Sequence, residues 1–217
     1  MILEDGEPAA GPWQAVTLVE LAGMVLDAAG AVVDRPRIVA VDGRSASGKS
    51  TLARRLARAV AGSATVHTDD IAWWHSAFDW APLMIDGVLG PARRGESVVF
   101  RPPAWDARGR PGAVEVPAGT STLIVEGVGA GRRETAHLVD AMVWVQSDAS
   151  VRERREAARI AAGQTDAEVS ERWMREEVPF VADQRPWERA FVVVCGTPEG
   201  LHDPQTHVVV APPPAST

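Results

Sequence analysis

One nine-residue stretch carries the clearest chemistry in the sequence: Gly43-Arg44-Ser45-Ala46-Ser47-Gly48-Lys49-Ser50-Thr51. It fits the Walker A pattern, in which glycines let backbone N–H groups turn onto phosphate oxygens and the following helix adds its positive dipole end. An apolar run precedes the stretch and an amphipathic run follows it, as this pattern requires. The stretch predicts a nucleoside triphosphate site built from Gly43, Ser45, Ala46, Ser47, Gly48, Lys49, Ser50 and Thr51.

Lys49 is the only lysine among the 22 lysine and arginine residues of the chain. A compact ammonium on a flexible stem can reach over the loop to the β and γ phosphates, whereas a guanidinium is bulkier and imposes a fork geometry. The hydroxyl of Ser50 is predicted to bind Mg²⁺. We therefore predict that the site needs both the charge and the shape of a lysine side chain at position 49.

Acidic residues follow two further apolar runs. Asp69 and Asp70 come just after the predicted strand 64–67, and Glu126 ends the run that begins at Thr122. An alcohol that accepts a phosphoryl group benefits from a carboxylate that takes its proton, and a strand-end acid can hold Mg²⁺ directly or through water. Asp69 or Asp70 is thus a candidate base, and Asp69 and Glu126 are candidate metal ligands. The alternative is that Asp69 and Asp70 cap the next helix.

The elements that must position these residues alternate along the chain. Apolar runs near residues 37–42, 64–67, 122–125, 141–145, 191–194 and 207–210 predict strands, and residues 16–29, 50–61, 151–162 and 167–177 predict helices. This order predicts an α/β fold with a mostly parallel, doubly wound sheet. A single domain over 1–217 is expected, with flexible ends (1–12 and 211–217), a Trp- and Pro-rich insert (72–119) containing a short hairpin, and a lid region (about 150–185).

Composition narrows the function classes. The formal charge of −7 argues against a broad basic face that grips nucleic acid. One cysteine, Cys195, cannot form an internal disulfide, and no apolar run approaches the roughly 20 residues that span a bilayer. A cytoplasmic protein without a membrane or nucleic-acid partner is expected, and a homodimer is left open.

In several segments the sequence resembles the branch of P-loop small-molecule kinases that contains uridine kinase and pantothenate kinase. The segment from Ile38 to Ala53 resembles the opening strand and loop of that branch, and His67-Thr-Asp-Asp-Ile71 lies where it carries an aspartate. Trp105-Asp106 resembles its aromatic–Asp pair, and Leu123-Ile-Val-Glu-Gly127 resembles its third strand.

The resemblance implies a function and further site residues. It favours Asp69 as the base, with Asp70 second, and it implies that Asp106 holds the acceptor's hydroxyl groups. It also implies a mobile lid whose arginines close on the transferring phosphate, with Arg155 and Arg159 as the first candidates and Arg152 and Arg154 next. A solvated helix face is the alternative for these arginines, and Glu177 and Arg185 are either lid contacts or surface pairs.

Tryptophans crowd the insert just after the candidate base. Trp73, Trp74, Trp80 and Trp105 predict either a ring-bearing acceptor, with Trp74 and Trp105 as contacts, or an insert held together by large side chains.

The expected function is an ATP- and Mg²⁺-dependent kinase with a small hydroxyl-bearing acceptor, nucleoside-like by resemblance. An antibiotic, sugar, amino acid or vitamin precursor is the alternative acceptor. A nucleotide-dependent switch or motor, or a nucleotide-binding protein without turnover, is the competing class. The chain contains no asparagine, so the Asn-Lys-x-Asp segment of GTPase switches is absent from the sequence.

Overall fold

The computed structural model describes residues 1–200 and 202–214. A seven-stranded sheet with the order β1-β9-β8-β7-β2-β6-β3 forms its centre, and β4 and β5 form a separate antiparallel hairpin. The strands are β1 (Gln14–Thr17), β2 (Arg37–Gly43), β3 (Ser63–His67), β4 (Val98–Phe100), β5 (Val114–Val116), β6 (Thr122–Glu126), β7 (Ala141–Gln146), β8 (Val192–Cys195) and β9 (His207–Ala211).

The core of the sheet is parallel. The pairs β3–β6, β6–β2, β2–β7 and β7–β8 are parallel, while β9 runs antiparallel to both β8 and β1. All residues of β6 and β7 are buried, as expected of apolar strands covered on both faces. The predicted α/β fold with a mostly parallel sheet is confirmed.

Helices flank the sheet. They are α1 (Leu18–Ala29), α2 (Lys49–Ala59), α3 (Thr68–Ala72), α4 (Ala81–Met84), a π-helical turn (Ile85–Leu89), α5 (Gly90–Arg93), α6 (Pro103–Ala107), α7 (Ala149–Ala161) and α8 (Ala167–Gln184). The helices α1 and α2 pack with Val39 and Val41 on one face of the sheet. The insert and Trp187 pack with Trp144 on the other face.

The first helix begins later than its apolar pattern predicts. Thr17 is its N-cap and forms a capping box with Glu20, so the helix begins at Leu18 rather than at Val16. The preceding residues pair with β9 and add an edge strand to the sheet. The Thr17 cap, rather than the spacing of apolar residues, therefore determines where α1 begins.

The insert has a core of its own tryptophans. Trp80 and Trp105 are almost fully buried, and the hairpin predicted in this region is present as β4 and β5. The helical run from Ala81 to Arg93 was not predicted. The large side chains thus hold the insert against the sheet, which matches the structural alternative for Trp80 and Trp105.

Described residues near both chain ends contact the rest of the fold. Residues 2–10, predicted to be flexible, pack along α7 and the end of β7, with Glu7 and Ala10 buried. Ala211 is the last residue of β9, and residues 215–217 lie outside the described part of the chain. Within the described ranges, every helix is too short or too polar to cross a bilayer.

Candidate active site

The Walker A stretch, residues 43–51, joins β2 to α2 and is called the phosphate loop below. Gly48 has φ 101°, a left-handed conformation that costs glycine little. At Gly43 a Cβ would lie 2.7 Å from Ser47 Oγ and 2.9 Å from the carbonyl oxygen of Val145. Both glycines are therefore required by the backbone path, and α2 begins at Lys49 with its N-terminus facing the loop.

The loop is braced from inside and from β7. The side chain of Lys49 curls over the loop, with Nζ 3.4 Å from the carbonyl oxygen of Arg44. Ser47 is fully buried, and its carbonyl oxygen accepts a 2.7 Å hydrogen bond from the Ser147 hydroxyl. A hydrogen bond from Lys49 thus spans the loop from within, and one from Ser147, in the segment after β7, connects the loop to its surroundings.

Ser50 and Glu126 lie within hydrogen-bond distance of each other. The Ser50 hydroxyl donates to Glu126 Oε1 at 2.9 Å, and His67 Nδ1 lies 2.6 Å from Glu126 Oε2. Burial raises the pKa of Glu126, but hydrogen bonds from His67 and Ser50 and the charge of Lys49 outweigh it, so the pKa lies below its usual value. The hydrogen bond to Glu126 in turn raises the pKa of His67.

This pair of oxygen ligands fits Mg²⁺, which favours one or two protein oxygens together with water and phosphate. Among the described residues there is no cluster of three or more His, Cys, Asp or Glu side chains suited to an all-protein metal cage. The donor set of Ser50 and Glu126, with Asp69 nearby, therefore suits a metal that arrives with a nucleotide.

Asp69 and Asp70 have different surroundings although both lie in α3. Asp69 is exposed, yet desolvation by the surrounding protein raises its pKa; Lys49 opposes this rise and Glu126 adds to it. Asp70 is paired with Arg110 at 2.5 Å, and its carbonyl oxygen accepts a hydrogen bond from Trp105 Nε1. Of these two carboxylates, Asp70 is paired with an arginine, whereas Asp69 has no arginine partner among the described residues and interacts with the charge of Lys49.

The other predicted acceptor contacts lie around the same insert. Trp105 is buried, and the Arg110 guanidinium lies 3.7 Å from its ring centroid, so that face is covered. Asp106 is exposed and paired with Arg101 at 2.7 Å. Trp74 is 65% exposed, with the Arg108 guanidinium 3.6 Å above its ring. The structure therefore brings Asp69 to the phosphate loop and places Trp74, Trp105 and Asp106 in the insert beyond it.

The arginines of α7 divide between two environments. Arg155 donates from Nη1 to the carbonyl oxygen of Ala46 at 2.9 Å and from Nη2 to that of Gly196 at 3.0 Å. Arg159 is half exposed and lies 3.5 Å from Glu156. Arg155 thus bridges the phosphate loop to the segment after β8, a position that the expected lid role did not foresee.

A cavity of about 430 Å³ opens beside these arginines. The phosphate loop and the start of α2 form one wall, and the segment between β8 and β9 forms the opposite wall, with Arg155 and Arg159 at the side. Thr51 also lines it. In the sheet order, β8 and β9 lie on one side of β2 and β3 lies on the other, so the cavity and Asp69 are on opposite sides of the loop.

Asp42 is a site residue that the sequence analysis missed. Its buried carboxylate accepts hydrogen bonds from the backbone N–H groups of Gly43, Gly129 and Gly131. Burial raises its pKa to about 6, against the effect of these bonds and of Lys49. The available signal was an acid that ends an otherwise apolar strand.

Glu177 is a residue whose role the sequence left open. It is completely buried, and its carboxylate accepts hydrogen bonds from the Ser45 backbone N–H, the Ser45 hydroxyl and Trp173 Nε1. Of the two residues left undecided, Glu177 contacts the phosphate loop from α8, while Arg185 pairs with Glu188 at 3.0 Å. No local pattern marks such a contact, because 132 positions separate Glu177 from Ser45.

Comparisons with known proteins agree with this architecture. A similar solved structure is a protein from Silicibacter sp. TM1040 provisionally assigned as a fructose transport system kinase, with 19% identity and a TM-score of 0.57, covering 81% of this chain and 95% of the other. Another is a protein from Bacillus stearothermophilus provisionally assigned as a uridine kinase, with 16% identity and a TM-score of 0.54, covering 81% and 96%. No protein-family model and no curated protein sequence matches the chain.

At these identities the likeness establishes the fold. The chain shares its mostly parallel α/β fold with these two solved structures, and the fold that the sequence resemblance implied is confirmed.

Proposed function

We propose that the chain is an ATP- and Mg²⁺-dependent phosphotransferase that moves the γ-phosphate to a hydroxyl group of a small molecule. One arrangement carries the proposal: Lys49 and Ser50 lie at the start of α2, Glu126 ends β6, and Asp69 follows the neighbouring strand β3. In this register His67 pairs with Glu126, which brings Asp69 to the same edge of the sheet. A phosphate loop that lies beside one carboxylate suited to bind Mg²⁺, Glu126, and a second suited to act as a base, Asp69, fits phosphoryl transfer to an alcohol.

The loop would hold the donor. Its backbone N–H groups and the N-terminus of α2 stabilise the phosphate charge, and Lys49 neutralises charge on the β and γ phosphates. Ser50 and Glu126, with Asp69, would hold Mg²⁺, which when bound neutralises phosphate charge. The ammonium of Lys49 can leave its long contact with Arg44 and turn to phosphate without losing a strong hydrogen bond.

Asp69 would act on the acceptor. Its carboxylate takes the hydroxyl proton as the acceptor oxygen forms a bond to the γ-phosphorus and the bond from that phosphorus to the β–γ bridging oxygen breaks. The products are ADP and a phosphate monoester. A raised pKa makes Asp69 a stronger base than an ordinary aspartate.

The cavity beside Arg155 supports a nucleotide donor. It begins at the phosphate loop and ends at the segment between β8 and β9, so it offers room for a ribose and a base on the side opposite Asp69. The donor and acceptor would then approach the loop from opposite sides, as in-line transfer requires.

The acceptor is proposed to be nucleoside-like, because the sequence resembles the uridine kinase branch; an antibiotic, sugar, amino acid or vitamin precursor is the alternative. A cytoplasmic setting follows from the same resemblance and from the use of ATP. A thermal-shift screen of hydroxylated metabolites, run with Mg²⁺ and a nonhydrolysable ATP analogue, would identify the acceptor, since a ligand of the folded state raises its melting temperature. A nucleoside that raises the melting temperature further supports the proposal, and a screen in which only another class does so redirects it.

A further inference from the structure

The segment 2–10, here called the N-terminal strap, is tied to three parts of the candidate site. At its start, the Ile2 backbone N–H donates to Asp148 at 2.7 Å, and Glu4 pairs with the buried Arg152 of α7. At its end, the Ala10 backbone N–H donates to Gln146 Oε1 at 3.0 Å. The strap therefore connects α7 to the end of β7, and Glu7 lies midway along it.

Glu7 joins the strap to the phosphate loop. Its Oε2 accepts a 2.9 Å hydrogen bond from Arg44 Nε, and both side chains are 3% exposed. Its Oε1 accepts hydrogen bonds from Trp144 Nε1 at 2.9 Å and from Gln146 Nε2 at 3.1 Å. One carboxylate thus connects the second residue of the loop to two side chains of β7.

Arg44 depends on this contact. Burying a guanidinium is costly unless a carboxylate compensates its charge. Glu7 is its ion-pair partner, and within residues 1–200 and 202–214 Nη1 and Nη2 of Arg44 find no hydrogen-bond acceptor. Without the Glu7 charge, the buried Arg44 side chain is stabilised by moving toward water, and the contact that fixes the backbone between Gly43 and Ser45 is lost.

We propose that Glu7 is a positioning residue of the phosphate-binding loop, acting through Arg44 from a segment outside the loop and outside the sheet. It keeps the loop backbone in the phosphate-binding conformation before nucleotide arrives. The part of this inference that concerns nucleotide affinity rests on the proposed function, whereas the part that concerns loop order does not.

The test compares Glu7→Gln, which keeps the shape and removes the charge, with Asp140→Asn as a matched control. Asp140 also pairs with arginines, Arg35 at 2.7 Å and Arg93 at 2.6 Å, but it lies at the opposite end of β7. Amide hydrogen exchange of the peptide covering 43–49 is measured in the full-length protein without nucleotide, and ATP binding is measured by calorimetry with Mg²⁺.

For Glu7→Gln, exchange in 43–49 is expected to rise about tenfold and the Kd for ATP about tenfold. Asp140→Asn should leave exchange in 43–49 within about twofold of the parent protein. The double variant Glu7→Gln with Arg44→Met removes the buried guanidinium that would otherwise lack a counter-charge, so it should restore protection of the loop against exchange. It also provides a test if the single variant folds poorly.

Unchanged exchange in 43–49, or a rise spread evenly over the chain, would overturn the inference. If the parent protein binds no ATP, the proposed function fails, but the exchange comparison still decides whether Glu7 orders the loop.

Discussion

Glu177 of α8 binds the phosphate loop through Ser45. Its Oε1 and Oε2 lie 3.0 Å and 3.2 Å from the Ser45 backbone nitrogen, and Trp173 Nε1 donates to both partners. The long helix that follows the arginine-bearing α7 is therefore fastened to the loop by a buried carboxylate. A phosphate that accepted a hydrogen bond from the Ser45 N–H would have to compete with Glu177 for it.

Glu177→Ala should destabilise the protein by about 1–3 kcal/mol, because it leaves buried donors of Ser45 and Trp173 without an acceptor. The free energy of unfolding from urea titration measures this. Glu176→Ala is the control, since Glu176 is the exposed neighbour on the same helix and its loss should cost less than about 0.5 kcal/mol. Equal stability of the two variants would mean that the contact contributes nothing.

Lys49→Arg keeps the charge and should lower kcat/KM about 100-fold or more, because a fork-shaped guanidinium cannot take the path of the ammonium over the loop. Arg58→Lys is the converse exchange on the exposed face of α2 and should leave turnover unchanged. Steady-state ADP formation measures both. Near-normal turnover of Lys49→Arg would show that charge alone is needed at position 49.

Asp69→Asn should lower kcat about 10²-fold to 10⁴-fold, since it removes the base and keeps the shape. Asp70→Asn breaks the pair with Arg110 and should change kcat far less. The base acts when unprotonated, so kcat/KM should fall as the pH falls through a pKa that lies above the usual aspartate value. A larger loss for Asp70→Asn than for Asp69→Asn would reverse the assignment.

Asp42 should make stability depend on pH. Its pKa is about 6 in the folded protein against 3.8 as the ordinary value, so between these values the folded state binds more protons than the unfolded state. The free energy of unfolding of the parent protein, relative to Asp42→Asn, should therefore decrease as the pH rises from about 4 to about 7, by about 3 kcal/mol in total. A difference that stays constant across this range would contradict the raised pKa.

The features that the sequence predicted are local ones. The glycines at 43 and 48, the apolar strands and the acids after β3 and β6 follow from spacing and pattern, and the structure places them together because parallel strands end at one edge of the sheet. The contacts that Glu7 and Glu177 make with the loop could not be predicted from local spacing and pattern. Each joins the loop to a residue far along the chain, and the surrounding sequence of Glu7 is indistinguishable from that of a loose terminus.

One prediction about the elements was wrong for a physical reason. The helix predicted from Val16 begins at Leu18, because the Thr17 cap competes successfully with the apolar period. The role of Arg155 in closing on the transferring phosphate stays a prediction; in the structure its guanidinium donates to the carbonyl oxygens of Ala46 and Gly196 beside the cavity. Helical spacing identified the arginines of α7 but could not identify which backbone groups would face them.

Acceptor-dependent formation of ADP tests the central claim most directly. Purified protein is incubated with ATP, Mg²⁺ and each member of a panel of nucleosides and other hydroxylated metabolites, with Asp69→Asn in parallel. At least one acceptor should raise ADP formation well above the rate without acceptor and yield an equal amount of its phosphate monoester, and Asp69→Asn should remove most of this increase. ADP formation that is the same with and without every acceptor would contradict the account and indicate an ATPase instead.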